Sequence, residues 1–315
     1  MKKNTLLMLL ASFVFLMSAC RKDEMPEKPE LDSEFLQNNE DNRFQRDESD
    51  QADNDINDAL QEIPGFGKTA GAPLASPLCG VTIDSSQIAQ KILFFNFDGV
   101  TPCFSPSRTR SGQIKVQLTS GADWSTAGAV LTLTYTNFKI TRLSDNKWVN
   151  FNGVKTLTNL NGHDWLGLLA GNTTHAYRER AYNVDVDFSS GASAVWNSAR
   201  VTNWSYDPAS PVGPNLYFEC TGDTTINGIS NVDMWGVNRF GKDFIRYYNS
   251  PWQSNLYCGF WRPVAGTIIH EVNNKQFQLD LGVDQSGNPS TLNCAYGFKV
   301  TWTMNGNSYT RVFSY

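Results

Sequence analysis

An all-β fold, either an antiparallel sandwich or a curved sheet, is predicted for most of this 315-residue chain by three observations. Segments of alternating apolar and polar residues recur along the chain, turn sequences separate them at short spacing, and helical periodicity is weak outside the region around residues 164–170. Residues 65–315 are also enough to enclose a sizeable hydrophobic core.

The predicted strands begin with the apolar run 92–97 and continue with segments rich in β-branched and aromatic residues. These later segments are 113–118, 130–135, 182–188, 266–272, 277–281, 298–302 and 309–313. Asparagine-glycine pairs are typical of tight hairpin turns, so they predict turns between strands. Such sequences are Asn152-Gly153, Asn227-Gly228, Ser286-Gly287-Asn288 and Asn305-Gly306.

The β-rich region contains a suggestion of two similar halves. A strand ending at Asp98-Gly99 is followed by Cys103 and by the segment 112–116, and a strand ending at Leu281-Gly282 is followed by Cys294 and by the segment 297–300. The spacing after the two cysteines differs, so duplication and coincidence are both open. Duplication would favour a division of the region near residues 170–215.

The N-terminus has the composition of a secretory signal. Residues 1–19 combine Lys2 and Lys3 with an apolar run over 6–17 and small residues before Cys20. The run is too short to span a bilayer, which takes about 20 apolar residues. Met17-Ser18-Ala19-Cys20 resembles the lipobox of bacterial lipoproteins, and this resemblance implies cleavage before Cys20 and acyl chains, such as palmitate, on that cysteine.

A second signal follows the cysteine. Lys22, Asp23 and Glu24 resemble the lipoprotein export signal of Bacteroidetes, which implies transfer to the outer face of the outer membrane. The alternative is that these charges are an ordinary polar flank. The expected location is therefore the outer membrane, with the chain lipid-anchored and exposed at the cell surface.

The segment 20–64 is predicted to be a disordered tether. From Arg21 to Pro64 it has 15 acidic and 5 basic residues, a net charge of −10, and few apolar residues. Such a segment buries too little surface to offset its ordering entropy. The remainder, 65–315, has a net charge of only +3, which does not favour nucleic acid as a partner.

The β region also resembles a group of uncharacterised β-rich Bacteroidetes surface lipoproteins. The likeness rests on short motifs: the strand closing at Asp98-Gly99, Cys103, Arg110-Ser111-Gly112, Trp124, and Gly266-Thr267-Ile268 before another strand. The group implies an all-β fold and brings no activity or catalytic residue with it.

Five cysteines remain when Cys20 is set aside for lipid. An exported chain meets an oxidising compartment, and Cys79 and Cys103 flank the first strong strand, so these two are the preferred disulfide. One of Cys220, Cys258 and Cys294 would stay unpaired if the others join. The spacings typical of structural zinc, CxxC redox centres and HExxH metal sites are absent, so we expect no metal and no cofactor.

Aromatic residues are the most suggestive functional feature. Nine fall within residues 235–261, together with several Asn, Asp and Arg residues. Aromatic faces and polar side chains of these kinds are typical of sugar-binding sites. We therefore predict glycan contacts at Trp235, Trp252, Trp261, Arg239 and Asn249, on a long connection from Met234 to Trp261. The alternative is that the rings fill a β core.

Three functions follow in order of preference. The first is a non-catalytic binding or accessory role with an extracellular glycan as ligand. The second is a structural or adhesive surface protein that binds another protein. The third is a hydrolase, for which no catalytic residue is assigned because no nucleophile motif is present.

Overall fold

The architecture is that of a long acidic helix lying against one large antiparallel sheet, as seen in a computed structural model. The structure describes residues 33–63, 66, 78–103, 107–162, 168, 171 and 174–315. Helix α1 is Ser33–Glu62. The strands are β1 (Val81–Asp84), β2 (Ile92–Asp98), β3 (Arg108–Ser120), β4 (Ala129–Arg142), β5 (Trp148–Asn159), β6 (Thr174–Phe188), β7 (Ser193–Asp207), β8 (Asn215–Gly222), β9 (Thr224–Ile226), β10 (Ile229–Val237), β11 (Asp243–Asn255), β12 (Ala265–Val272), β13 (Lys275–Val283), β14 (Gly297–Met304) and β15 (Asn307–Ser314).

Most strands pair with their neighbours in the chain. The order in the sheet runs from β1 to β7, then β10 to β15. Strands β8 and β10 lie end to end between β7 and β11, because β7 pairs with β10 over residues 195–198 and with β8 over residues 200–207. The all-β prediction is confirmed, in its curved-sheet form, because the described strands form a single sheet.

Alternating burial explains why these segments are strands. In β4, Leu131 and Leu133 are buried, and Thr132 and Thr134 between them are partly exposed. Since successive side chains in a strand point to opposite faces, one face of β4 packs into the core. Each predicted strand segment lies wholly or largely within one of the observed strands.

Two matching bulges bend the middle of the sheet. Asn137 in β4 and Asn183 in β6 have left-handed backbone conformations, with φ of 48° and 53°, and each adds one residue to its strand. The Asn137 N–H donates to Asn152 Oδ1 and the Asn183 N–H donates to Asn197 Oδ1, both at 2.8 Å. Such bulges increase local twist and bending. The predicted turn at Asn152-Gly153 is therefore wrong: the pair lies inside β5, opposite a bulge.

Helix α1 contradicts the predicted tether over residues 33–62. Phe35 near its start and Ile56 and Leu60 near its end are buried, and polar residues are buried between them. Phe35 stacks on Phe277 of β13 with a ring-centroid distance of 3.6 Å. Composition predicted disorder because it does not show that acidic residues of α1 have cationic partners on distant strands.

The sheet curves around the helix. Residues of α1 contact side chains from β3 at one end of the series to β13 at the other. Only a narrow stripe of α1 remains exposed, and it includes Leu36, Glu40, Arg43 and Asp47. A flat sheet could cover only one side of a helix, so this degree of coverage requires curvature.

The proposed division near residues 170–215 does not match the structure. Strand β6 pairs along its length with both β5 and β7, so the sheet is continuous there. The predicted signal peptide over residues 1–19 and the predicted signal residues Cys20, Lys22, Asp23 and Glu24 lie outside the described residues. Within the described part of the chain, no helix is both long enough and apolar enough to cross a membrane.

Candidate binding cleft

A cleft of about 350 Å³ separates the uncovered stripe of α1 from one wall of the sheet. Its sheet wall is largely aromatic and aliphatic, and its helix wall is polar. The sheet wall consists mainly of Tyr177, Trp204, Phe218, Trp252, Phe260, Trp261, Ile268, Leu279, Leu281, Phe298 and Tyr315. The helix wall consists of Asn39, Arg43, Arg46, Asp47, Asp50, Gln51 and Asn54.

The aromatic wall is built by pairing between strands. Trp204 of β7 lies directly opposite Phe218 of β8, and their ring centroids are 4.9 Å apart. Phe260 meets Trp204 edge-on at 5.1 Å, and Trp252 of β11 lies 5.9 Å from Phe218. Cross-strand neighbours of this kind stabilise a sheet and fix ring orientations. The wall is therefore a preformed surface.

The helix wall presents residues at helical spacing. Positions 39, 43, 46, 50 and 54 recur every three or four residues, so they lie on one face of α1. Arg46 on this face lies 3.7 Å above the centre of the Trp252 ring and donates to the Tyr248 hydroxyl at 2.8 Å. One face of Trp252 is thus covered by protein, which leaves this ring less available to a ligand.

Trp261 is the freely presented ring of the cleft, with 68% of its surface exposed. The loop that carries it is held by the disulfide Cys258–Cys294 and by Ser254, whose hydroxyl donates to the Phe260 and Arg262 carbonyls at 2.9 and 3.2 Å. Gly259 has a φ of +83°, and a Cβ there would lie 2.7 Å from Trp261 Nε1. The loop is fixed while the ring faces solvent.

The predicted ligand contacts separate into two groups. The structure brings Trp252 and Trp261 together in the cleft. Trp235 lies elsewhere, edge-on to Tyr182 at 5.9 Å, and Asn249 is an exposed residue of β11. Arg239 forms a two-pronged ion pair with Asp41 of α1, with both N–O distances at 2.6 Å.

The predicted long connection from Met234 to Trp261 is also wrong. It consists of most of β10, a short turn, all of β11 and the start of the next loop. Its aromatic content reflects strand composition as well as the cleft. Sequence reasoning missed Trp204, Phe218 and Phe298, because they come from strands far from the aromatic cluster, and it missed α1 as the opposite wall.

A buried ionic core lies between α1 and the strands. Asp53 is 2.5 Å from Lys155 Nζ, Asp55 is 2.7 Å from Arg110, and Glu48 pairs with Arg108. The helix contributes five carboxylates and Arg46 to this core, a net charge of −4. The strands, together with Arg239 in the turn between β10 and β11, contribute six cations and two carboxylates, a net charge of +4. These groups are Asp41, Arg46, Glu48, Asp50, Asp53 and Asp55 on α1, and Arg108, Arg110, Lys155, Glu179, Arg200, Asp233, Arg239 and Arg246 opposite.

The centre of this core has strongly shifted ionisation. Burial raises the pKa of Asp53 to about 7, even though Lys155 opposes the shift. Burial acts in the same direction on Glu179, but the nearby Arg200 and Lys155 outweigh it and lower the pKa of Glu179 to about 2. Oxygens of Asp50, Asp53 and Glu179 lie within 4.8 Å of one another, as metal ligands do. Here Lys155 and Arg200 occupy the position of a cation, so the group is an ion-pair cluster.

The described cysteines and His270 have structural environments. Cys79 and Cys103, the pair preferred from the sequence, form a disulfide, and Cys220 is a buried free cysteine. His270 is buried beside Asn38, with 2.8 Å between Nε2 and Nδ2, and burial lowers its pKa to about 3. A neutral, enclosed imidazole of this kind belongs to the core between α1 and β12.

The protein is therefore a curved antiparallel sheet that holds an acidic helix, with an aromatic cleft beside that helix. No family model, curated protein or solved structure matches the chain.

Proposed function

We propose that the protein is a lipid-anchored outer-membrane protein that binds an extracellular glycan in this cleft without chemically altering it. The observation that supports this function most directly is the exposed Trp261 ring, fixed at the cleft and faced by a polar stripe of α1. Sugar rings stack their C–H faces on such an indole, and their hydroxyls bond to Asn, Gln and Arg side chains.

The helix stripe supplies hydrogen-bonding groups of the required kinds. Asn39, Gln51 and Asn54 are partly exposed residues of α1 that line the cleft. Amide side chains offer both donors and acceptors, which suits the hydroxyl groups of a sugar. A volume of about 350 Å³ falls at the lower end of the range for small-molecule sites and would hold one or two sugar residues.

The cleft is lined by two carboxylates, Asp47 and Asp50, and the firm pairing of Asp50 favours binding over a reaction that needs both. Asp50 pairs with Arg200 and lies 3.6 Å from Arg46, so its charge is held by two cations. A glycosidase needs one carboxyl group that can donate a proton and a second that can act as base or nucleophile. A carboxylate fixed in two ion pairs is poorly suited to either role.

A glycan array probed with the full chain tests this function. We expect binding to a defined set of oligosaccharides, loss of binding for Trp261→Ala and retention for Trp235→Ala, since Trp235 lies outside the cleft. Bound oligosaccharides incubated with the protein should release no new reducing ends. Binding that survives Trp261→Ala, or an array without hits, would reject the proposed site.

A protein ligand is the second candidate, and one observation favours it. Leu256, Tyr257 and Leu292 are each more than half exposed and lie in the loops joined by the disulfide Cys258–Cys294. Clustered exposed apolar residues are typical of protein-binding surfaces. This candidate predicts that Leu292→Ser abolishes binding on a protein array and leaves any glycan binding unchanged.

The anchoring part of the proposal rests on the sequence around Cys20. Labelled palmitate should be incorporated into the wild-type chain and not into Cys20→Ala. Replacing Lys22, Asp23 and Glu24 by alanine should protect the chain from protease added to intact cells. Unchanged protease accessibility would contradict the surface location, and unchanged labelling would contradict the lipid site.

A further inference from the structure

The distribution of cations on α1 points to the charge of the ligand. The helix has ten acidic residues and only two basic ones, Arg43 and Arg46, and both line the cleft. The strands add Arg246 to the lining, and Arg262 lies next to Trp261. Both basic residues of this otherwise acidic helix therefore line the cleft.

These arginines differ in how fully they are engaged. Arg246 is buried and forms a two-pronged ion pair with Asp233, at 2.6 and 3.0 Å. Arg46 is held by Trp252, Tyr248 and Asp50. These two cations are therefore committed to partners within the protein, and their side chains are not free to follow a ligand.

Arg43 is the available cation. Its side chain is 75% exposed, and its ion pair with Asp47 is 4.0 Å long, at the outer limit of such contacts. An exposed pair of this kind contributes little, about 0–1 kcal/mol, so it can be exchanged for a better partner. Arg43 can therefore turn its guanidinium toward an anion in the cleft at small cost.

Arg262 provides a second positive group beside the exposed ring. Its guanidinium lies 5.5 Å from the Trp261 ring centre, and its Nη2 donates to the Ala295 carbonyl at 2.8 Å. Its Nε is buried without a hydrogen-bond partner among the described residues. Trp261 is thus a stacking surface with a cation over one of its faces.

We propose that the ligand is an acidic glycan, with a sugar ring on Trp261 and a carboxylate or sulfate group paired with Arg43. The inference rests on the proposed glycan-binding function and narrows it to anionic sugars. Planar guanidinium groups bind such oxyanions with two parallel hydrogen bonds. Three arginines of the lining, Arg43, Arg46 and Arg246, face two carboxylates, Asp47 and Asp50, and Arg200 also pairs with Asp50.

The test compares matched oligosaccharides on the full chain purified in detergent. A galactose hexamer, a galacturonic acid hexamer and a sulfated galactose hexamer share a ring skeleton and differ in charge. We expect one or both acidic hexamers to bind at least about tenfold more tightly than the neutral one, and to weaken as salt rises from 50 to 500 mM. The two acidic probes distinguish carboxylate from sulfate.

Variants at Arg43 separate this inference from the function on which it rests. Arg43→Gln should weaken acidic hexamer binding about tenfold, and Arg43→Lys should lose less because it keeps the charge. The control is Arg180→Gln, which removes an exposed arginine paired with Asp223, on the face of β6 opposite to the buried Glu179, and should leave affinity unchanged.

Two results would overturn the inference in different ways. Equal binding of neutral and acidic hexamers, still abolished by Trp261→Ala, would contradict the acidic ligand and keep the glycan site. Absence of binding to all three hexamers and to the wider array would reject the proposed function itself. Circular dichroism of each variant distinguishes loss of a contact from loss of the fold.

Discussion

The two sides of helix α1 meet the same sheet in opposite ways. On the side of β3, β5 and β7, acidic residues such as Asp53 contact buried cations such as Lys155, and the interface is closed. On the side of β8 and β11–β14, polar residues of the helix face aromatic rings across an open cleft. A buried charge is tolerated only with a partner. Ion pairs thus close the sheet on one side of α1, and on the other side a cleft separates part of the helix from the aromatic rings.

This comparison separates stability from function. Lys155, Asp53 and Glu179 at the centre of the ionic core are almost fully buried, and changes there leave uncompensated charges. Trp261 in the cleft is exposed and contributes little to the folded core. Substitutions on the first side should therefore change the free energy of unfolding, and substitutions on the second side should change binding.

The largest effect is expected at Lys155. Its side chain is fully buried between Asp53 and Glu179, so Lys155→Met leaves two carboxylates without their shared cation. We expect a loss of about 3–5 kcal/mol in the free energy of unfolding, measured by urea titration. The double variant Lys155→Met/Asp53→Leu should recover part of that loss. A Lys155→Met protein as stable as the wild type would contradict the ionic core.

Removal of the loop disulfide should come next. Cys258 and Cys294 close a loop with a sequence separation of 36, so replacing both by serine should cost about 4 kcal/mol, because the unfolded chain regains the entropy of the closed loop. The loop that positions Trp261 should also loosen, and glycan affinity should fall with stability. Thermal unfolding with and without the disulfide measures the first effect. A loss of stability with unchanged affinity would show that the disulfide does not position the ring.

The dependence of stability on pH should be smaller and has a defined sign. Burial raises the pKa of Asp53 from 3.8 to about 7, so the folded state retains a proton that the unfolded state has lost between these values. This contribution to stability is complete below about pH 4 and disappears as pH rises to 7. Glu179, with its pKa lowered to about 2, acts oppositely below pH 4.5. We expect the free energy of unfolding to be higher, by roughly 2 kcal/mol, at pH 5 than at pH 8.

Urea titrations at several pH values measure this dependence, and Asp53→Asn provides the control. Asparagine cannot titrate, so the decline between pH 5 and 8 should flatten in this variant. A decline of the same size in Asp53→Asn would assign the pH dependence to other groups.

The smallest effect on stability is expected for Trp261→Ala. The ring is exposed, so the free energy of unfolding should change by less than about 0.5 kcal/mol while glycan binding is lost. Unfolding and binding measured on the same preparation give both values. A large loss of stability would show that Trp261 belongs to the core and would weaken its role as a ligand contact.

The sequence predicted the strands better than their partners. Alternation in segments such as 130–135 depends on local pattern, and the structure has strands there. The bulge at Asn137 and the Asn152-Gly153 pair could not be distinguished from turns, because both use the same backbone conformations. Whether such a residue bends a strand or ends it depends on the neighbouring strand.

The packing of helix α1 could not be predicted from the sequence, because a net charge averages over cations whose positions in space are unknown. The net charge of +3 over residues 65–315 gave no sign that Arg108, Lys155 and Arg200 converge on one face of the sheet. The acidic segment was therefore interpreted as a tether, although its charges have buried partners. Part of the candidate site could be predicted, because Trp252 and Trp261 belong to the aromatic-rich segment 235–261. Trp204 and Phe218 lie outside that segment, and strand pairing brings them to the site.

Amide hydrogen exchange of residues 33–62, followed by mass spectrometry on the full chain, tests the central claim most directly. If α1 is the ionic core of the sheet, its amides should be protected to a degree comparable with those of β4 and β5, and Lys155→Met should reduce that protection. Exchange of these residues at the rate of an unstructured chain would contradict the account, because an acidic tether would then lie outside an empty, positively charged sheet.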